Sequence, residues 1–292
     1  MVTLPEFALV DPVTMNTGLF RSLAKGARPV LDATKKHGGL VYRYTGHHVD
    51  EIGLRVFLTL LGLAGMEKKP VLKEGGSDRL QHLRQGLELQ GSAEHGKCLL
   101  WFGSVLDLVA ACGSAKTTSN KKTFLARLQQ LSDISISVSE PATGKTLACQ
   151  KLLNFDVDPA GKQVAVLLSP HVSSGALGRQ YVKIDLQKFR DIESPAGQVL
   201  HAVLSGRIKP SQAFPVSYRL ATLAEIAFGP SQALTVARKR MQLIRDAVHE
   251  LDKVGWAVFE DITGNRAVSI MHLDKVDPNK WLEIEARRAK VA

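Results

Sequence analysis

Leu234-Thr235-Val236-Ala237-Arg238-Lys239-Arg240-Met241-Gln242-Leu243-Ile244-Arg245-Asp246-Ala247-Val248-His249-Glu250-Leu251 is the stretch from which the fold is read. Leu234, Ala237, Met241, Ile244, Val248 and Leu251 recur at steps of three and four, so they are expected to face the core from one long helix. At about 100° per residue, Thr235, Lys239 and Gln242 fall on the opposite side, with Arg238, Arg240 and Arg245 on the flanks. Cations at a helix start oppose the helix dipole, and a phosphate backbone would supply the missing anions. In a major groove the guanidiniums and Gln242 could reach bases or phosphates. Gly255 closes this helix. Trp256-Ala257-Val258-Phe259-Glu260 and Ala267-Val268-Ser269-Ile270-Met271 then pair around Asp261-Ile262-Thr263-Gly264-Asn265 as a hairpin, with Arg266 beside its tip.

Upstream of it lie a short helix at 222–228 stopped by Gly229-Pro230, a small strand at 216–220, and a helix at 194–204 with Pro195 at its start. Val182-Lys183-Ile184-Asp185-Leu186 reads as a strand leading in. The first half repeats this order. Asp50 caps a helix with Ile52, Val56, Leu60 and Leu63 along one side, and Cys98-Leu99-Leu100-Trp101-Phe102 reads as a buried strand. Short helices follow at 104–111 and 119–131, the second with Phe124, Leu128 and Leu131 on one face. Runs at 134–138 and 146–155 flank Glu140-Pro141-Ala142-Thr143-Gly144 as a second hairpin. The expected architecture is α+β, two tandem winged helix-turn-helix domains. Residues 1–48 form an N-terminal extension, irregular but for a helix at Leu19-Phe20-Arg21-Ser22-Leu23-Ala24-Lys25 and a strand at Leu40-Val41-Tyr42-Arg43-Tyr44. Residues 49–168 form the first domain, 169–181 a linker, 182–276 the second domain and 277–292 a polar tail.

A length of 292 residues suits two domains, and 45% hydrophobic with 23% charged residues rules out global disorder. The formal charge of +10 favours a polyanionic partner. Cys98, Cys112 and Cys149 lack close pairing and are expected as free thiols in a reducing cytoplasm. No targeting segment is visible, and the most apolar run, 56–63, is too short to span a bilayer, so a cytoplasmic, membrane-free, DNA-associated protein is expected.

Catalytic patterns are weak. Thr143-Gly144-Lys145-Thr146 has the tail of a phosphate loop, but Ser139 stands where the pattern needs Gly, so a hairpin turn is the better reading. His47-His48, near Tyr42 and Tyr44, is a poor match to a metal-dependent nicking site, because adjacent residues of a strand point to opposite faces. No enzyme, cofactor or metal is expected. The first half does offer a second basic helix start: Lys116, Lys121, Lys122 and Arg127 lie between Leu108 and Leu131 without an acid, behind Thr117-Thr118-Ser119-Asn120. Thr118, Ser119, Asn120 and these cations, with Lys145 on the hairpin, are the expected DNA contacts of the first domain. Thr235, Arg238, Lys239, Arg240, Gln242, Arg245 and Arg266 are those of the second.

Arg238-Lys239-Arg240 through Arg245, Ala247, Glu250, Leu251 and Gly255-Trp256-Ala257-Val258 resembles the iteron-binding replication initiators of IncQ-type broad-host-range plasmids. Gly18-Leu19-Phe20-Arg21-Ser22-Leu23, the helix at 54–65, Val182-Lys183-Ile184 and Leu200-His201 resemble the same family in the same order, over about residues 16–275. Met241 and Gln242 depart from it, standing where the family has further basic residues, so the preferred origin sequence is expected to differ. The resemblance implies double-stranded DNA with direct repeats as the partner, opening of a neighbouring AT-rich segment, and recruitment of a plasmid helicase and primase. It also implies self-association, since related initiators form dimers that separate to bind iterons. Three other classes compete. A dimeric winged-helix transcriptional repressor would favour an inverted repeat. A metal-dependent nicking enzyme would need a covalent tyrosine, and a protein-binding scaffold would leave the basic helices in solvent.

Overall fold

Residues 1–48, expected to be largely irregular, contain four elements: β1 (Phe7–Val10), α1 (Pro12–Asn16), β2 (Val30–His37) and β3 (Leu40–His47). The computed structural model describes residues 4–272 except 68, 72–76, 179, 211, 213, 232 and 261–266, together with Ala286. Asp11 caps α1 by accepting from the amides of Val13 at 2.8 Å and Thr14 at 3.1 Å. The helix expected at 19–25 is absent. Leu19 and Phe20 are instead buried anchors, and the Arg21 amide donates to the Val49 carbonyl at 2.9 Å, which holds this segment extended. Gly38 and Gly39, at φ 57° and 78°, make the two-residue turn that joins β2 to β3, a loop open only to residues free to adopt positive φ.

Asp50 accepts from the Gly53 amide at 3.0 Å and starts α2 (Glu51–Glu67), a nearly all-buried helix. The stretch after it, unassigned from sequence, holds β4 (Pro70–Val71), α3 (Asp78–Gln85) and β5 (Gln90–Gly91). The next elements follow expectation: β6 (Cys98–Ser104), α4 (Val105–Ala111) capped by Ser104, and α5 (Thr118–Ser132) capped by Thr117. Phe124, Leu128 and Leu131 are the buried residues of α5.

The strands behind α5 depart from the reading. Residues 146–155 were expected as one strand, but they divide into β8 (Thr146–Lys151) and β9 (Leu153–Val157). Leu152 between them is fully buried, and its amide donates to the Ile134 carbonyl at 2.9 Å, so the chain steps from one sheet to another there. β7 (Ser135–Ser139) and β8 join the five-stranded sheet β2-β3-β7-β8-β5. β9 and β10 (Gln163–Leu168) join the four-stranded sheet β4-β6-β10-β9. Residues 169–181 are likewise no simple linker. They hold α6 (Pro170–Leu177), whose Ser173 hydroxyl accepts from the Leu99 amide at 2.9 Å, and whose Gly175 is met by the β1 backbone. A Cβ at Gly175 would lie 2.7 Å from the Asp11 nitrogen, so only glycine lets helix and strand approach this closely. β11 (Val182–Asp185), expected in the second domain, pairs antiparallel with β1, Phe7 opposite Asp185. The compact units are accordingly 1–187 and 188–292.

Helix α7 (Leu186–Asp191) spans the boundary, and the second unit continues through α8 (Pro195–Arg207), β12 (Val216–Arg219), α9 (Leu220–Phe228), α10 (Leu234–Lys253), β13 (Trp256–Glu260) and β14 (Ala267–His272). Its core gathers Leu200 and Leu204 of α8, Leu223 and Ala227 of α9, Ile244, Val248 and Leu251 of α10, and Trp256 and Ile270 of the sheet. Glu250 of α10 accepts from the Ser194 amide at 3.0 Å and its hydroxyl at 2.6 Å, which ties α10 to the start of α8. Its sheet order is β12-β14-β13, and the first unit shows β6-β10-β9 within its four strands. In both, the strand that precedes a pair of helices (β6 before α4 and α5, β12 before α9 and α10) lies beside the last strand of the closing hairpin. In the first unit that closing hairpin is β9–β10, not the expected 134–155 pair.

Candidate nucleic-acid interface

Helix α10 outruns its own core. Its buried residues are Ile244, Ala247, Val248 and Leu251, whereas Leu234, expected to face inward, is 77% exposed. Ala237 and Met241 are only half-buried, and Val236 is 42% exposed. The reason is length: a 20-residue helix reaches about 30 Å, while α8 and α9 have 13 and 9 residues. Among the described residues, the amphipathic stripe continues past the last one that covers it. Thr235, Arg238, Lys239 and Gln242 are exposed, as their angular positions require. The Gln242 amide donates to Asp246 at 3.1 Å, and half-buried Arg245 donates to Gln242 at 3.3 Å. Arg240 is committed elsewhere. It donates to the Gly229 carbonyl at 2.9 Å and lies over the Phe228 ring at 5.4 Å, pinning the α9–α10 turn. Arg266 and the tip at 261–265 lie outside the described residues, as does the tail at 277–292 apart from Ala286.

In the first unit Thr118, Ser119 and Lys122 are exposed at the start of α5, and no acid occupies its first turn. Asn120 is used locally, its side-chain amide donating to the Ala115 carbonyl at 2.8 Å. Lys116 pairs with Asp107 at 2.7 Å. Lys145 sits at the tip of β7–β8, in the five-stranded sheet, so it is not on the hairpin beside β6. The β9–β10 turn takes that place. Asp158 organises it by accepting from the amides of Lys162 at 2.6 Å and Gln163 at 2.8 Å. The Lys121 ammonium comes within 3.3 Å of the space a Cβ would fill at Gly161. Exposed Lys162 follows directly, so helix start and hairpin tip present their cations together.

Arg127 is the clearest correction. Its guanidinium grips Asp50 through two nitrogens, Nε at 2.8 Å and Nη2 closer still, and only 18% and 16% of the two side chains are exposed. It fastens α5 to the cap of α2 and cannot reach a phosphate without breaking that pair. Arg127→Ala is expected to cost about 1–3 kcal/mol of stability through the orphaned carboxylate. Its salt dependence of DNA binding should match wild type. Urea denaturation and a salt titration together check this, and a smaller salt slope at unchanged stability would return Arg127 to the interface.

A profile of the family Replication protein C (RepC) matches residues 6–270. The chain belongs to the RepC family. Among solved structures, this RepC-family chain is similar to a selenomethionine crystal structure of domains 2 and 3 of RctB, at 8% identity and TM-score 0.54, over 89% of this chain and 97% of that one. That likeness supports the fold alone. A second structure of RctB domains 2–3 aligns at 10% identity and TM-score 0.48, over 89% and 95% of the two chains. No individually curated protein matches the chain.

The RepC-family match crosses both units and both basic helix starts. Lys162 is not among the cations singled out from the sequence, where the hairpin flanking 140–144 is the one expected to follow the helix at 119–131. Its signal was present: an Asp-Pro-Ala-Gly-Lys turn between two apolar runs. The residues weighed for nicking are placed differently. Tyr44 is fully buried, its hydroxyl 2.6 Å from His171 Nε2 and 2.9 Å from the Thr14 hydroxyl, and burial pushes its pKa well up. His47, the last residue of β3, is exposed, and His48 just beyond the strand is buried. Burial, then the nearby Arg21 charge, lowers the His48 pKa to about 4. The loop at 140–145 is a tight hairpin end, with the Glu140 amide donating to the Lys145 carbonyl at 3.0 Å. Among the described residues no three His, Cys, Asp or Glu side chains gather as a metal site, and no helix is long and apolar enough to cross a membrane.

Proposed function

We propose that this RepC-family chain is a plasmid replication initiator that binds directly repeated origin DNA through two winged-helix units. One recognition helix is α5, flanked by the β9–β10 wing; the other is α10, flanked by β13–β14. The observation that carries the reading is a recurrence. Each unit places an acid-free helix start beside a sheet in which the early strand neighbours the last strand of a hairpin. Lys121, Lys122 and Lys162 serve the first site, and Arg238, Lys239, Gln242 and Arg245 the second. Both units hold one DNA molecule, so each repeat spans about two helical turns, with equivalent grooves about 34–36 Å apart. Binding promotes opening of adjacent AT-rich DNA and recruits helicase and primase, and self-association regulates access to the repeats. The protein's chemistry is binding, with no hydrolysis or strand cleavage of its own.

Footprinting of the full chain on one isolated repeat tests this. Wild type should protect about two turns. The Lys121→Ala/Lys122→Ala/Lys162→Ala protein should lose protection over one half, with a salt slope lower by about three. Protection confined to an inverted repeat would overturn the reading in favour of a dimeric repressor.

A further inference from the structure

The first turn of α10 carries apolar side chains that the described residues of its unit leave largely or partly uncovered. Leu234 is 77% exposed and Val236 42% exposed, with exposed Thr235 between them. All three end in methyl groups. At about 100° per residue, Leu234 and Val236 lie some 100° to either side of Thr235, so the outward face of the turn is flanked by aliphatic surface. The electrostatics of the same helix restrict what can cover it. Between Glu225 and Asp246 the sequence holds no acid and four cations, Arg238, Lys239, Arg240 and Arg245. Arg238 and Lys239 are exposed one turn away, and Ala233 leaves the helix start without a side-chain cap. An apolar protein surface laid on Leu234 and Val236 would have to desolvate those cations. A nucleic-acid groove would not, because its phosphate walls meet the cations while its floor offers apolar points.

In a major groove those points are the C5-methyl groups of thymine, which aliphatic side chains contact directly. We infer that Leu234 and Val236 are specificity-determining residues that read thymine methyl groups in the recognised DNA. The inference rests on the assignment of α10 as a recognition helix. It adds a second kind of readout to the hydrogen bonds of Arg238 and Gln242: polar groups select edges, and this turn selects the methyl.

The test uses the full chain and duplexes that it enriches from a random library, resynthesised with deoxyuridine in place of single thymines. That exchange removes one methyl group and leaves the Watson–Crick edges intact. Loss of a methyl contact should weaken binding about 3–4-fold at each thymine facing the first turn of α10, and about tenfold for two. Leu234→Ala and Val236→Ala should weaken binding to thymine DNA by similar factors, with no further loss on the deoxyuridine duplex, so the cycle shows coupling. Both positions are exposed, and circular dichroism should match wild type. Unchanged affinity on deoxyuridine DNA overturns the inference while leaving sequence-specific binding in place. Enrichment of no sequence at all overturns it together with the initiator reading. If the two variants keep full DNA affinity but lose self-association in sedimentation, the patch belongs to a second copy and the methyl reading fails.

Discussion

Raising salt from 50 to 200 mM is expected to lower the affinity of the intact chain for one repeat by about 10³–10⁵. Lys121, Lys122 and Lys162 are grouped at one helix start and hairpin tip, and Arg238, Lys239 and Arg245 lie along another helix. Six phosphate contacts from these residues, as proposed, would put the chain in the range where counterion release dominates affinity, because each neutralised phosphate frees most of one condensed cation. Lys116, Arg127 and Arg240 are left out of the sum, since Asp107, Asp50 and the Gly229 carbonyl already engage them. Fluorescence anisotropy across the salt series measures the slope. A slope of three or less would mean that only one unit holds the DNA, and the two-unit reading would fall.

Trp256→Ala is expected to destabilise the second unit by about 3–5 kcal/mol, the largest loss of any single truncation considered. Trp256 is fully buried, and it sits where β13 meets α8. Its indole nitrogen donates to His201 Nδ1 at 3.0 Å, and the His272 ring lies 4.5 Å from it. Truncation therefore opens a large cavity and removes the donor that His201 faces. Trp256→Phe separates the two terms: most of the apolar volume remains and the hydrogen bond goes, for a cost of about 1–3 kcal/mol. Urea unfolding followed by circular dichroism reads both. The consequence for DNA is indirect. Trp256 stands at the foot of the hairpin beside α10, so the variant should lose affinity in proportion to the population unfolded, with its sequence preference intact.

Helices α2, α4, α5, α8, α9 and α10 were legible because their signals are short-range. Asp50 caps the helix that the sequence assigns to it, and Ser104, Thr117 and Ser194 cap α4, α5 and α8, all through contacts within three residues. The apolar spacing of α5 likewise named Phe124, Leu128 and Leu131 as its buried side. Strand partnership was not legible, because period-two alternation says which face is buried and not which neighbour is hydrogen-bonded. Thus 134–138 and 146–155 read as one hairpin, and only the buried step at Leu152 divides the second run, so that β9 pairs with β10 and β10 lies beside β6. The strand at 182–185 likewise found its partner in β1, far away along the chain.

The sequence by itself determined the helices from α8 to α10, the helices α2, α4 and α5, and the two acid-free helix starts, since composition and local periodicity suffice for these. Tertiary structure alone decided which cations remain free. Arg127 is consumed by Asp50, 77 positions away, and Arg240 by the carbonyl of a turn, while Lys121 is brought to the Gly161 hairpin. It also decided that α10 projects past its core and exposes Leu234, a core-facing residue by pattern that the described residues leave uncovered. The physical reason is common to all of these: a charge or a methyl group is committed by what lies across space from it, and a linear pattern records only what lies within a turn or two along the chain.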